Sequence, residues 1–416
     1  MDFIKKSKEF AKVENPTEDR EAFQKKIVEL TNYDESLVPD YSLPSPLNKA
    51  DGTKVSSAFE WANFQAPEIF SMFQKEMYGK VPPRPDSVSY ELLSYCEDAL
   101  GGTAIRKEVR IHFAMLNGKK HFIDMLLYAP KDAKESPAPV FLGLNFKGNH
   151  ATTVEKDVLM TGSLANNPEL LTEESRGTQD YRWEFTELIK NGFATATVCY
   201  HDIFPDNSSG WDKSILQLFE DLTDFSGSHP YYTSITAWAW GLSRMLDYLE
   251  SDPLIDASRA AVHGHSRLGK TALWAGACDS RFRLVISNNS GCGGAALGKR
   301  FFGEQYLIMG SALPHWLVKS FKKYFANEEN MPFDQHFLLA LIAPRAIAIA
   351  SATEDLWADP KGEFLSAKHC SEVYELFGSK GLNADEMPEA GIYHSSDVSY
   401  HLRVGKHDQM PFDWKH

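Results

Sequence analysis

No apolar run of about 18 residues occurs anywhere in the 416-residue chain, so the sequence offers no membrane-spanning helix. Cysteine is scarce: the five residues Cys96, Cys199, Cys278, Cys292 and Cys370 form no CxxC pair. An odd count in a chain this long does not read as a disulfide framework. Cys278 and Cys292 could pair, but free buried thiols are the preferred reading. Positive charge is also short, with 43 Lys and Arg against 57 Asp and Glu and a net charge of −14. That balance makes a nucleic-acid phosphate backbone an unsuitable partner. The opening residues MDFIKKSKEFAKVENPTEDR carry charges but lack the apolar core of a secretory leader. A full-length chain of this kind would be cytoplasmic; one trimmed after export would be secreted or periplasmic. There is no internal repeat and no low-complexity tract. His263 and His265 are the obvious histidine pair, yet no acidic cluster accompanies them, so neither a metal nor another cofactor is expected.

What is present is enough apolar material for a full core, 43% of the residues. Nine tryptophans and sixteen tyrosines add aromatic faces of the kind that pack against sugar rings, although core packing will use most of them. Residues 1 to about 90 are polar and broken by SLPSPL and by the prolines from Pro82 to Pro85. They read as an irregular segment with short helices, one near Pro67–Met77, that wraps over the core as part of the same domain. Regular patterning begins near Arg106. Lys107–Leu116 and His121–Tyr128 flank Asn117-Gly118, a hairpin signal. Strands are then expected at Val140–Phe146, Ala194–Tyr200, Ala260–Gly264, Arg283–Ser287, Arg345–Ser351 and His401–Val404. Helices are expected at Tyr232–Leu249, Arg267–Ala277 and Gly362–Gly378. This alternation predicts an α/β domain over 91–416, with a doubly wound, mostly parallel sheet in a three-layer sandwich. Insertions near 149–182 and 292–340 interrupt the pattern and are placed to shape a site.

The run Val262-His263-Gly264-His265-Ser266-Arg267-Leu268-Gly269-Lys270 joins a buried strand to a helix through a tight turn with one serine. That is the nucleophile elbow of an α/β-hydrolase, which lifts the serine oxygen above the sheet beside backbone N–H groups. A structural G-x-S turn is the bland alternative; strand, elbow and helix together favour catalysis. Gly264 supplies the first glycine of the usual pentapeptide. Leu268 holds the place of the second, and Gly269 follows one position later. Arg267 and Lys270 put two cations where most elbows carry small or apolar residues.

A serine hydroxyl needs a base within reach. In this fold the chain order is serine, acid, histidine. His407, in Gly405-Lys406-His407-Asp408 after the last strand, is the preferred base over His394, His401 and His416. The side chains of His263 and His265 are expected to point elsewhere. The acid is expected after Arg345–Ser351, where Glu354-Asp355-Leu356-Trp357-Ala358-Asp359-Pro360 follows. Asp355 is the first choice, Glu354 the second, and Asp359 the third, with a turn-forming role preferred for Asp359.

With these residues in hand, the sequence resembles the glucuronoyl esterases of carbohydrate esterase family 15, in their bacterial form. The resemblance runs from about residue 55 onward. It rests on Gly264–Lys270, on Asn288 through Leu297, on Pro314-His315-Trp316, on Glu354 through Pro360 and on Gly405–Asp408. It implies an α/β-hydrolase that cleaves the ester between lignin alcohols and 4-O-methyl-glucuronic acid on glucuronoxylan. It also implies an acyl-enzyme intermediate, no membrane and a monomer. Ser266 corresponds to the nucleophile, His407 to the base and Arg267 to an arginine that holds the oxyanion. Lys270 corresponds to a lysine on the uronate hydroxyls, and Glu304 and Trp357 to residues lining the uronate pocket. In the fungal pattern a glutamate acid stands where this chain has Asn289, so the resemblance points to Asp355. Arg176 and Arg182-Trp183 are expected to make structural contacts first. Phe146 is a weak candidate for a second oxyanion amide. The rival readings are an acetylxylan or other carbohydrate esterase, and an inactive carbohydrate-binding homologue.

Overall fold

Alternating and continuous apolar runs decide the centre of the protein. In the computed structural model, which describes residues 2–13, 16–161 and 171–416, they build one ten-stranded sheet. Its strands are β1 (Ser87–Asp98), β2 (Ala104–Ala114), β3 (Lys120–Pro130), β4 (Ala138–Asn145) and β5 (Ala194–Cys199). They continue with β6 (Ile255–His265), β7 (Leu284–Asn288), β8 (Ala346–Ala352), β9 (Tyr393–His394) and β10 (Val398–Arg403). The spatial order is β1-β2-β3-β5-β4-β6-β7-β8-β10-β9. The stretch β5-β4-β6-β7-β8-β10 is parallel throughout. β1, β2, β3 and β9 add antiparallel edges. The chain runs from β4 to β5 on one side and returns to β6 on the other. The reversal leaves the carboxyl end of β6 at the switch point where α/β sheets open a crevice.

The two faces of the sheet carry layers of different weight, as successive residues on a strand point to opposite sides. Met125 and Leu127 of β3 join the large core, with the helices Ser234–Leu249 and Arg267–Cys278. Leu126 and Tyr128 join a smaller cluster with Trp183, Phe185 and Ile189 on the other face. On that thinner side His263 lies between Trp183 and Trp414, at ring distances of 5.2 and 4.8 Å. Trp238 and Trp240 are buried in their helix, and Trp240 Nε1 donates to the Pro83 carbonyl at 3.0 Å. All five cysteines are free thiols. No described helix is long and apolar enough to cross a membrane.

The amino-terminal residues lie against the insertion between β7 and β8. Gln305 Nε2 donates to the Leu30 carbonyl at 2.7 Å, Gly303 N to the Asn32 carbonyl at 2.8 Å, and Arg300 pairs with Glu35 at 2.5 Å. Short helices form in this segment, at Asp2–Phe10 and Arg20–Leu30 among others, as the sequence suggests. One point differs from the sequence expectation: β1 starts at Ser87, well before Arg106. β1 is an edge strand with most of its residues exposed, so it lacks the buried-face alternation that reveals a strand. Of the expected insertion at 149–182, residues 162–170 lie outside the described residues.

Candidate active site

β6 ends at His265 and the helix begins at Arg267, so Ser266 alone makes the turn. It does so at φ 58° and ψ −127°, a conformation a non-glycine residue holds only at a cost of roughly 1–3 kcal/mol. Ser266 N donates to the Asn288 carbonyl at 2.9 Å, which anchors the strained residue to the end of β7. Gly264 has no substitute here. A Cβ at that position would sit 2.0 Å from the Leu268 carbonyl oxygen.

His407 Nε2 is 2.9 Å from Ser266 Oγ, and His407 Nδ1 is 2.6 Å from Asp355 Oδ2. With Nδ1–H donating to the carboxylate, Nε2 is left to accept from the serine hydroxyl. Asp355 is only 3% exposed, whereas the His407 side chain is 41% exposed. Asp355 is locked inside and His407 faces the opening. Asn289 Nδ2 also donates to Asp355 Oδ2, at 2.8 Å. Asn289 therefore supports the Asp355 carboxylate. It does so from φ 46°, a left-handed conformation that asparagine tolerates better than most residues. Glu354 is exposed, and its backbone N–H ties the loop to the Gly405 carbonyl at 2.8 Å. Asp359 caps the helix Pro360–Glu375 through Gly362 N and pairs with Arg300 at 2.8 Å.

The base loop is held on both sides. Arg403 Nη2 donates to the carbonyls of Lys406 and Asp408, and Arg182 pairs with Asp408 at 2.6 Å. Arg176 pairs with Glu173 and donates to the carbonyls of Glu155 and Val158. His401 is bound to Asp413 at 2.8 Å, and His416 stacks on Tyr393. His265 is turned away from the serine hydroxyl and toward Asn288. Its ring lies 4.6 Å from that of His407, while its Nδ1 contacts Asn288 Oδ1 at 2.6 Å. Burial, together with the charge of a protonated His407, pushes the His265 pKa well below the usual imidazole range. It is a neutral wall beside the base. Phe146 packs edge-on against Tyr200 at 5.5 Å.

Across Ser266 the site is cationic. Arg267 Nη1 pairs with Asp206 Oδ2, and Asp206 Oδ1 accepts from His315 Nε2 and Trp316 Nε1, both at 2.8 Å. The Arg267 guanidinium and the Lys270 ammonium both lie over the Trp316 ring, 5.0 and 5.6 Å from its centre. Burial alone would raise the Asp206 pKa. The hydrogen bond from His315 and the charge of Arg267 outweigh it and hold the carboxyl well below the usual range. Lys270 is buried, donates to the Ser290 carbonyl at 2.5 Å, and lies 3.9 Å from Glu304. One ammonium offers three donors, so this leaves two for another oxygen-rich group. Burial pushes the Glu304 carboxyl up, and Lys270, Arg267 and His407 oppose that shift. Glu304 N donates to the Trp357 carbonyl at 2.9 Å, which joins the two residues. Gly303 makes the approach possible: at φ +63°, its Cβ would stand 2.5 Å from the Leu356 and Trp357 carbonyl oxygens.

Seven residues picked from the sequence thus converge: Ser266, His407, Asp355, Arg267, Lys270, Glu304 and Trp357. Asp206 was missed. It lies in the loop after β5, sixty-one positions from its partner Arg267, and no local spacing connects the two. The Pro314-His315-Trp316 block was the available signal, since its two ring N–H donors require one buried acceptor. Among the described residues, no group of three or more His, Cys, Asp or Glu is placed to hold a metal.

The chain is similar to several known proteins. A family profile described as glucuronyl esterase, fungi, matches residues 185–378. A carbohydrate esterase from an unknown prokaryotic organism is 44% identical over 394 residues, covering 92% of this chain and 89% of that protein. A solved glucuronoyl esterase from Solibacter usitatus is 42% identical with a TM-score of 0.85, covering 91% of this chain and 97% of that one. A 4-O-methyl-glucuronoyl methylesterase from Schizophyllum commune is 27% identical over 348 residues, covering 81% of this chain and 74% of that protein.

Proposed function

The chain belongs to the glucuronoyl esterases of carbohydrate esterase family 15, and from that membership and its site we infer that it hydrolyses esters of glucuronic acid. The observation that carries the reading is the union of a Ser266–His407–Asp355 chain with two cations on the first helical turn after the serine. A plain lipase-like pocket has no use for those cations. An esterified uronate has use for both.

In the first half-reaction, Ser266 Oγ attacks the uronate carbonyl carbon and His407 Nε2 takes the hydroxyl proton. Asp355 holds the imidazole in the required tautomer and stabilises the imidazolium. The negative charge that develops on the carbonyl oxygen meets the Arg267 guanidinium and the amides at the start of the helix. Neither is needed as strongly by the neutral ester, so the stabilisation favours the transition state over the ground state. His407 then gives its proton to the departing alcohol, leaving the uronate acylated on Ser266. In the second half, His407 takes a proton from water as the water oxygen attacks the acyl carbon; it then returns that proton to Ser266 Oγ as the Oγ–acyl bond breaks, releasing glucuronate and free Ser266. Lys270, Glu304 and Trp357 bind and orient the sugar ring. We assign the natural substrate as a 4-O-methyl-glucuronate ester of glucuronoxylan, with a lignin alcohol as leaving group, handled by a monomer.

An acetylxylan esterase activity is the competing reading, and one solved relative is described as a promiscuous esterase of this family, 44% identical. The two part on ring recognition, since acetate gives Lys270 and Glu304 nothing to hold. The test compares turnover of benzyl glucuronate with release of acetate from acetylated xylan. Glucuronate release should dominate and vanish in Ser266→Ala. Release of acetate alone would reject the uronate reading.

A further inference from the structure

Away from the catalytic centre, three chain segments enclose a cavity of about 600 Å³ lined by Lys75, Lys80, Lys319 and Tyr231, with Gln74 and Ser320 among the other wall residues. No carboxylate lines it. The three lysines are exposed and, among the described residues, none is ion-paired, in a chain whose net charge is −14. The nearest acid in sequence, Glu76, is engaged by Lys323 and by the Tyr324 hydroxyl. Glu220, close to the same wall, faces His229 at 3.5 Å. Where like charges gather without counter-charges, an anion is the species that relieves them.

The frame that carries these lysines is fixed. Lys80 N donates to the Tyr231 carbonyl at 2.7 Å, Lys319 N to the His229 carbonyl at 3.0 Å and Val318 N to the Met77 carbonyl at 2.9 Å. Gly79 is required at φ +83°, because a Cβ there would meet the Tyr231 carbonyl oxygen at 2.5 Å. Tyr231 is 54% exposed, and Lys80 Nζ stands 4.6 Å from its ring centre. An exposed aromatic ring with an ammonium over one face, beside an amide and hydroxyls, matches an acidic sugar: the sugar packs on the other face, its carboxylate pairs with the lysines and its hydroxyls hydrogen-bond. The segment that supplies Lys319 begins at the active centre. Lys319 is three positions beyond Trp316, which lies beneath Arg267 and Lys270, so the two Cα atoms are within about 11 Å.

We propose that this cavity is a secondary subsite for a free, unesterified uronate on the same polysaccharide whose esterified uronate enters the active centre. The proposal rests on the uronate-ester reading above for its choice of polymer. The substrate and the ligand of the subsite then differ by one charge: the ester is neutral where it reacts, and neighbouring free acids supply the anchoring anion.

The test uses the full chain in affinity gel electrophoresis, with glucuronoxylan or neutral arabinoxylan in the gel, at fixed ionic strength. Wild type should be retarded by glucuronoxylan more than by arabinoxylan. The double variant Lys80→Ala/Lys319→Ala should lose about tenfold in apparent affinity for glucuronoxylan, as expected for lost charge-assisted bonds. Its turnover of benzyl glucuronate should stay unchanged. Tyr231→Ala should weaken retention on glucuronoxylan too. Lys25→Ala/Lys26→Ala removes the same charge elsewhere and should retain normally. Equal losses in both double variants would reduce the effect to net charge and overturn the subsite, as would unchanged retention in Lys80→Ala/Lys319→Ala. Displacement by inorganic phosphate but not by glucuronate would also overturn it. Failure of wild type to cleave benzyl glucuronate would strike the catalytic reading instead and leave the retention result to stand alone.

Discussion

Two buried carboxyl groups flank the elbow, and they are held in opposite ways. Asp206 receives Arg267 and the ring N–H donors of His315 and Trp316, with the Tyr200 hydroxyl at 3.1 Å. It stays ionised. Glu363, on the helix Pro360–Glu375, receives the hydroxyls of Ser351 at 2.6 Å and Ser290 at 3.2 Å and the amide of Gly291 at 2.9 Å. No cation is among its partners. Burial pushes its pKa up to about 8; its hydrogen bonds oppose that, and nearby Asp355 adds to it. Burial is common to both groups, so burial does not decide the charge. The decision comes from whether a cation accompanies the hydrogen bonds. The ionised group holds Arg267 beside Ser266. The protonated one fastens the backbone that carries Asn289 and accepts Lys270 at Ser290.

Asp355 bonds His407 and lies close enough to Glu363 to raise its pKa. Asp355→Asn should therefore have the largest effect. It breaks the tautomer preference of His407, and kcat on benzyl glucuronate should fall by roughly 10⁴-fold, as when the acid of a comparable triad is neutralised. It should also lower the Glu363 pKa by removing a like charge. Retention of more than a tenth of wild-type turnover would move the triad acid to another residue, with Glu354→Gln as the companion measurement. Asp206→Asn should come second. Arg267 would keep a neighbour but lose its counter-charge and its fixed direction. Loss of one oxyanion donor costs about 10²–10³ in kcat, and this variant should approach that with KM little altered. The stability loss should stay below the ~3–5 kcal/mol of a fully buried broken pair, because the Arg267 side chain is 33% exposed. Wild-type kcat in Asp206→Asn would show that Trp316 alone positions Arg267.

The same contrast explains what could be read from the sequence. The β6–Ser266–helix unit is local, so composition and one serine reveal it. Chain order then brought His407 and Asp355 toward Ser266 without knowledge of any contact. The parallel half of the sheet was legible because its strands are apolar on both faces. β1 was not, for it is exposed along most of its length. Nor were Asp206 and Glu363: each is defined by donors from distant loops, and a single acidic letter is identical whether it is solvated, ion-paired or protonated inside. His263 and His265 flank the serine in sequence without bonding to it, the first lying between Trp183 and Trp414 and the second on Asn288.

The mildest perturbation is the sharpest probe of the protonated partner. The Glu363 pKa is raised in the folded state to about 8, from an ordinary value of 4.5. Between those values the native protein holds a proton that the unfolded chain has released. Stability from this group is thus fully present below pH 4.5, declines above it, and is gone once the pH passes about 8. Glu363→Gln keeps a neutral, hydrogen-bonding group of the same size. Denaturation midpoints of wild type should fall from about pH 5 to about pH 8, and those of the variant should fall less steeply, with activity near pH 5 changed by no more than about twofold. Parallel slopes for the two proteins would mean that Glu363 is ionised like Asp206, and the contrast between the two carboxyl groups would collapse.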